Sequence, residues 1–190
     1  MHRLKILLPW LLIAGGSYFI FLGAREYLIP HIAQARAKSS WNAKYTVKAP
    51  PLQPGEVFAR LWIPRLRTTL YVVEGTSPQA LRRGPGHLQG SAMPGSEGNC
   101  IIAGHRDTHF QALKGIHTGD KIQIRTVEGT YTYRVSGTTV VAPNNTSVLE
   151  PSSRPELHLI TCYPFRYVGN APKRFVVGAD LVSHQTAPPG

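Results

Sequence analysis

The stretch from residue 157 to residue 177, LHLITCYPFRYVGNAPKRFVV, decides the fold. An apolar run ends at Cys162, a loop rich in proline, glycine and asparagine follows, and Arg174 opens a second apolar run. This order is typical of two antiparallel strands joined by a loop. We therefore expect the thiol and the guanidinium group at the same end of a sheet. A thiol reacts as its thiolate, and nearby positive charge favours that form, so the stretch predicts a nucleophilic site.

The chain before this stretch carries further short strand patterns separated by turn residues. They cover residues 57–63, 69–73, 99–103, 121–127, 131–135 and 138–142. Ser77 as N-cap and Pro78 at the first helical position predict a short helix through Arg83, and residues 108–116 predict a second one. Residues 84–98 are dense in glycine and proline and predict a loop. About eight short strands with one or two short helices predict a mainly β chain, an eight-stranded β-barrel.

The N-terminal segment has a different character. Residues 6–23 carry no charge and are close to the ~20 apolar residues that cross a bilayer as a helix. Arg3 and Lys5 precede them, so the positive-inside rule places residues 1–5 in the cytoplasm and the rest outside. A cleaved signal peptide is the alternative, because small residues follow the apolar run.

The remaining organisation follows from composition. Residues 24–56 are polar and basic, end in a proline-rich segment and predict an extracytoplasmic stalk. Residues 57–182 form the predicted barrel, and residues 183–190 a flexible tail. The net charge is +11, but residues 1–48 hold seven of the 21 basic residues and only one of the 10 acidic ones. Such basicity beside a membrane span suits anionic headgroups, and no nucleic-acid-binding motif accompanies it.

A third residue joins Cys162 and Arg174. His105 follows the apolar strand pattern at residues 99–103. A Cys–His pair can run covalent catalysis, with histidine moving the proton, and an arginine can bind a carbonyl that becomes an oxyanion. Each residue alone is more often structural, so composition and placement leave the function open at this point.

Three sequence blocks resemble the signature of the sortases, membrane-anchored cysteine transpeptidases of bacteria. They are IIAGHRDT at 101–108, LITCYPF at 159–165 and APKRFV at 171–176, and the wording TCYPF most resembles class D and its relatives. The resemblance implies a sortase-like barrel with Cys162 as nucleophile, His105 as general acid and base, and Arg174 as the group that holds the substrate backbone or the oxyanion. It also implies that Thr161 helps to shape the substrate site. The resemblance further implies a substrate groove between two long loops, at residues 138–156 and 163–173. Tyr163 is expected to line this groove, or alternatively to pack onto the barrel.

The implied reaction is acyl transfer. A protein with a C-terminal LPxTG-like sorting signal is cut between Thr and Gly, and the acyl group passes through a thioester to an amine from a cell-wall precursor or another protein. The implied location is the plasma membrane, as a single-pass protein with its catalytic domain outside. No cofactor and no metal are expected. Glu97, Glu150 and Glu156 lie in or beside loops where some sortases hold calcium, but surface solvation explains three scattered carboxylates better.

Several alternatives compete with this interpretation. A Cys100–Cys162 disulfide is disfavoured if His105 and Cys162 are neighbours, as the resemblance implies. Cys100 lies five residues before His105 on one strand, ~16 Å away, and the odd offset favours the opposite face. Zinc binding by His105 and His109 is a poor match to the H-E-x-x-H motif. An L,D-transpeptidase would carry its histidine and cysteine in one short block, whereas 57 positions separate them here. A non-catalytic peptide-binding barrel would have no need of a thiolate.

Overall fold

The computed structural model describes residues 2–44 and 52–187, and its main body is a closed eight-stranded β-barrel. The strands follow one another around the barrel in the order β1-β2-β3-β4-β7-β8-β6-β5. Their bounds are Val57–Ile63 (β1), Thr68–Glu74 (β2), Gly86–His87 (β3), Asn99–Gly104 (β4), Lys121–Arg125 (β5), Gly129–Val141 (β6), Glu156–Tyr163 (β7) and Lys173–Thr186 (β8). The helices are α1 (His2–Lys44) and α2 (Pro78–Arg83), with 3₁₀ turns at Pro64–Leu66, Gln111–Gly115 and Ser147–Leu149.

The barrel confirms the predicted fold class, and its interior follows the period-two pattern of the strands. In β1, Ala59, Leu61 and Ile63 are completely buried, whereas Trp62 between them is exposed. Tyr133 of β6 is the largest of the fully buried side chains. Its buried hydroxyl has a hydrogen-bond partner, because it accepts a 2.7 Å hydrogen bond from the Gly95 amide. Burying one face of every strand around a closed sheet provides one continuous hydrophobic core.

Two predicted strands and one predicted loop differ from the structure. The separate strands expected at residues 131–135 and 138–142 form the single strand β6, which ends at Val141, and the irregularity between Val135 and Gly137 is absorbed as a register shift against β8. The loop expected over residues 84–98 contains the two-residue strand β3, which bridges β2 and β4. A pair this short leaves no periodicity to detect, so the sequence pattern could not indicate it.

One of the two predicted helices is confirmed, and the other is shorter than predicted. α2 confirms the N-cap prediction, because the Ser77 side chain accepts a 3.2 Å hydrogen bond from the Ala80 amide and Pro78 opens the helix. The second predicted helix shrinks to the 3₁₀ turn Gln111–Gly115. Glycine at the end of so short a segment stops the helix before it reaches a second turn.

The segments outside the predicted barrel are more ordered than expected. α1 runs to Lys44, so the first part of the segment predicted as a stalk is helical, and Ala37 and Trp41 pack against the outside of the barrel. Residues 45–51 of that segment lie outside the described residues. At the other end, β8 continues to Thr186 and pairs with β6, so the tail expected from residue 183 starts as strand. His184 stacks on Tyr131 there, with ring centroids 4.5 Å apart.

Among the residues whose placement the structure describes, no helix combines the length and the hydropathy needed to cross a membrane. The span predicted for residues 6–23 stays a prediction.

Candidate active site

The parallel pair β4 and β7 brings two of the predicted catalytic residues to the same level of the barrel. The register of the pair ends with Gly104 opposite Thr161. His105 and Cys162 are the next residue on each chain segment, so they follow side by side. The Thr161 hydroxyl helps to hold this register, because it donates a 2.6 Å hydrogen bond to the Gly104 carbonyl oxygen.

Phe110 shapes the turn that carries His105. Its side chain is completely buried, and its amide donates a 3.0 Å hydrogen bond to the His105 carbonyl oxygen, which turns the chain back towards the barrel. A Cβ atom at Gly104 would lie 2.7 Å from the Phe110 ring, so only glycine leaves room for this turn. The tight packing leaves the His105 side chain exposed at the strand end.

β8 adds the third predicted residue. Its antiparallel register with β7 places Arg174 directly opposite Cys162. His105, Cys162 and Arg174 together line one cavity of about 290 Å³ at this end of the barrel. The structure therefore brings together all three residues that the sequence singled out, although they come from three separate strand ends.

The two cysteines are free thiols with opposite environments. Cys100 belongs to the barrel core and is 1% exposed, whereas Cys162 is half-buried beside the cavity. The register pairs Cys100 with Leu157, five residues before Cys162 on the neighbouring strand. Burial, with a smaller contribution from the Glu74 carboxylate, raises the pKa of the Cys100 thiol to about 12. Cys100 is therefore a core thiol that stays protonated at neutral pH.

This contrast predicts that a single thiol reacts in the native protein. With iodoacetamide between pH 7 and 9, we expect one label per native chain, at Cys162, and two per chain in denaturant, because a protonated, buried thiol is a poor nucleophile. Peptide mapping by mass spectrometry identifies the labelled residue. Labelling of Cys100 in the native protein at a comparable rate would contradict the assignment.

Arg174 is already engaged with its own loop. Its Nη1 donates hydrogen bonds of 3.3 Å to the Ala171 carbonyl oxygen and 3.1 Å to the Lys173 carbonyl oxygen. The guanidinium group is a planar fork with five N–H donors, so two carbonyl contacts through one nitrogen do not exhaust it. Arg174 can therefore hold loop carbonyls and still offer donors to a substrate oxygen.

Thr161 and Tyr163, the two residues expected at the substrate site, do not line the cavity. Thr161 is 3% exposed and points into the barrel, because strand alternation gives it the face opposite to that of Cys162. Tyr163 belongs to an aromatic cluster, with its ring centroid 6.0 Å from that of Phe165 and 6.3 Å from that of Phe175. Both residues support the strands from which the cavity opens, and neither lines it.

Sequence reasoning indicated one part of the remaining cavity wall and missed another. The loop at residues 163–173, expected as one wall of the groove, contributes to the cavity, whereas no residue of the other expected loop, 138–156, lines it, and Arg106 and Asp107 were not predicted. Besides the three predicted residues, the wall consists of Arg106, Asp107, Gly169, Asn170 and Ala171. Arg106 and Asp107 follow His105 directly, and the other three belong to the loop between β7 and β8, residues 164–172, here called the β7–β8 loop. The β4–β7 pairing brings the two segments together, because one follows β4 and the other follows β7. Knowledge of that pairing would have indicated Arg106 and Asp107 as residues of the cavity wall.

His109, considered above as a zinc ligand, is buried behind the site. Burial, and next the charge on His105, lowers its pKa to about 4, so it is neutral at pH 7. In the described parts of the chain, no three histidine, cysteine, aspartate or glutamate side chains cluster in a way that could hold a metal ion.

The comparisons with known proteins agree on one family. Residues 61–182 match the sortase domain family. Sortase D from Bacillus subtilis is 36% identical over 155 residues, which cover 81% of this chain and 78% of that protein. A Clostridium perfringens sortase D5 transpeptidase shares the fold, with a TM-score of 0.72 at 24% identity over 80% of this chain and 99% of that one. Sortase E1 from Streptomyces coelicolor, solved with a tripeptide in its active site, has a TM-score of 0.62 at 29% identity over 71% of this chain and 93% of that one.

These matches decide between the alternatives that the sequence left open. A sortase domain that spans the barrel excludes an L,D-transpeptidase, and the relatives are enzymes rather than idle binding barrels. The chain belongs to the sortase family, the cysteine transpeptidases of the bacterial cell envelope, and class D is among its relatives.

Proposed function

We propose that this sortase cuts an LPxTG-like sorting signal between Thr and Gly and transfers the new acyl group to an amine. The observation that carries the proposal is the shared cavity of a thiol, an imidazole and a guanidinium group at adjoining strand ends. The cavity opens at the surface, as a site for a peptide segment of a larger protein must. The tripeptide in the active site of the S. coelicolor relative supports a peptide ligand.

The first half-reaction forms a thioester. The Cys162 thiolate attacks the Thr carbonyl carbon, and Arg174 donates hydrogen bonds to the oxygen that becomes negative. When the C–N bond breaks, protonated His105 gives its proton to the leaving Gly amine, so the acyl group remains on Sγ. Arg174, a permanent cation in the cavity wall directly opposite Cys162, favours a thiolate at this place.

The second half-reaction reverses the proton transfer. An amine attacks the thioester carbonyl, neutral His105 accepts its proton, and the Cys162 thiolate leaves. The enzyme thus returns to its starting protonation state after each transfer. Because every step uses a side chain of the protein, the proposed reaction needs no cofactor.

The proposed acceptor amine belongs to a cell-wall precursor or to another envelope protein. This choice is supported by the uncharged run at residues 6–23, which we propose as a membrane anchor with the N-terminus in the cytoplasm. An enzyme held this way would meet secreted proteins and wall precursors on the outer side of the membrane. Fusion of a reporter to either end of the chain, with protease protection in vesicles, tests that orientation.

Hydroxylamine trapping tests the reaction itself. The full-length protein is incubated with hydroxylamine and a panel of LPxTG-like peptides, and products are identified by mass spectrometry. We expect a hydroxamate at the Thr carboxyl carbon and a free peptide that begins with Gly, because hydroxylamine cleaves a thioester as a strong amine nucleophile. A scrambled peptide is the control. No hydroxamate from any peptide of the panel would refute the proposed reaction, and a rate that falls on addition of EDTA would show that a metal ion such as calcium contributes.

A further inference from the structure

Arg106 is the most deeply buried cation of the cavity wall. The residue is 7% exposed and follows directly after His105. Its Nε donates a 3.2 Å hydrogen bond to Asp107, whose side chain is 69% exposed. A buried guanidinium group is costly unless its donors are satisfied, so its remaining contacts need an explanation.

Those remaining contacts all go to the β7–β8 loop. Nη1 donates a 3.2 Å hydrogen bond to the Pro164 carbonyl oxygen, and Nη2 donates one of 2.7 Å to the Tyr167 carbonyl oxygen and a longer one of 3.5 Å to that of Gly169. The guanidinium carbon also lies 5.8 Å from the centroid of the Tyr167 ring. Arg106, which follows β4, thus donates hydrogen bonds to three carbonyl groups of a loop that lies about 60 residues further along the chain.

The geometry of these contacts suits the guanidinium group of arginine better than the ammonium group of lysine. The loop has no regular secondary structure, so its carbonyl groups lack sheet or helix partners. A planar fork can reach several carbonyl oxygens at once, whereas the single ammonium group of lysine cannot span them. Among the described hydrogen bonds, those of Arg174 go to Ala171 of the loop and to Lys173 at the start of β8, next to its own position, so they do not tie the loop to β4.

We propose that Arg106 is a positioning residue, which holds the β7–β8 loop as a preformed wall of the substrate site. The loop supplies Gly169, Asn170 and Ala171 to the cavity, and Arg106 fixes them relative to its neighbour His105. A wall that is already in place spares the substrate the cost of ordering it. The kinetic part of this inference rests on the proposed function, and the structural part does not.

The structural test is limited proteolysis of the full-length Arg106→Lys variant with trypsin. Arg166 is an exposed cleavage site within the loop. Loss of the fork should raise the rate of cleavage after Arg166 by about tenfold, because local opening controls access to an otherwise ordered loop. The matched control is Arg154→Lys, since the Arg154 side chain is exposed and, in the contacts described, pairs only with Glu156, at 3.3 Å. Arg106→Gln is the second variant, and hydrogen exchange of the loop amides gives the same readout if the lysine variant does not fold.

The kinetic test separates positioning from chemistry. A positioning role predicts that KM for the peptide rises about tenfold in Arg106→Lys while kcat changes less than about threefold, since binding is lost and the reacting groups remain. A large fall in kcat with an unchanged KM would instead make Arg106 part of the chemistry and overturn the proposal. Cleavage after Arg166 at the wild-type rate overturns it whatever the kinetics show. If the wild-type protein processes no peptide, the proposed function fails, and the proteolysis result still decides the role of Arg106.

Discussion

The Cys162→Ala variant is expected to keep its fold and to lose transfer activity by on the order of 10⁴-fold or more, the usual effect of removing a nucleophile. The half-buried side chain lies at the cavity and not in the core, so its truncation leaves the barrel packing intact. Without Sγ no thioester forms, and His105 and Arg174 have no acyl group to act on. The measurement is chromatographic product formation from a sorting peptide and an amine, with hydroxamate formation as a second readout.

Cys100→Ala is the matched control for this prediction. Cys100 packs inside the barrel as a small apolar side chain, so its truncation should lower the free energy of unfolding by about 1 kcal/mol and leave turnover near the wild-type rate. Thermal unfolding measured by circular dichroism reports the first effect. An equal loss of activity in both variants would contradict the assignment of Cys162 as the single nucleophile.

The Arg174→Lys variant should lose about 10² to 10³-fold in kcat, the range found for removal of an oxyanion donor. Charge is conserved in this exchange, so the loss isolates the geometry of the fork. An ammonium group cannot keep the Ala171 and Lys173 carbonyl groups and also meet the developing oxyanion. Steady-state kinetics with the sorting peptide measure the effect.

Lys173→Ala provides the comparison for Arg174. Lys173 is exposed, neighbours Arg174 and pairs in register with Tyr163, but it does not line the cavity. Its loss removes one positive charge from the same end of β8, so a small change in kcat would show that bulk charge is not the cause. Wild-type turnover in Arg174→Lys would remove Arg174 from the proposed mechanism.

The sequence predicted the barrel and the grouping of His105, Cys162 and Arg174 for a simple reason. Each of the three residues stands at the end or the start of an apolar strand pattern. In a parallel pair the two strand ends lie side by side, and in an antiparallel pair the end of one strand lies beside the start of the other. The β7–β8 pair is local, joined by the loop at residues 164–172, so the sequence could predict that Cys162 and Arg174 lie at the same end of the sheet. The meeting of β4 and β7 is not local, and the resemblance to sortases supplied it.

The parts that sequence could not supply depend on side-chain direction and on long-range contacts. Strand alternation alone indicates that Thr161 faces away from Cys162, and giving that rule more weight would have placed it inside the barrel. Arg106 gave no such signal, because a basic residue in a glycine-flanked loop is usually solvated. Its role is visible only once three carbonyl groups of the β7–β8 loop are known to converge on it.

The parallel pairing of β4 with β7 has a consequence for how the enzyme matures. The chain between the two strands contains β5 and β6, which lie on the far side of the barrel order. A contact between such distant segments carries an entropic cost in folding, because the loop between them must be closed. A partly folded chain therefore holds its thiol and its imidazole on segments that have not yet met. The candidate active site is complete only in the finished barrel, so activity in the proposed transfer assay would report on complete folding.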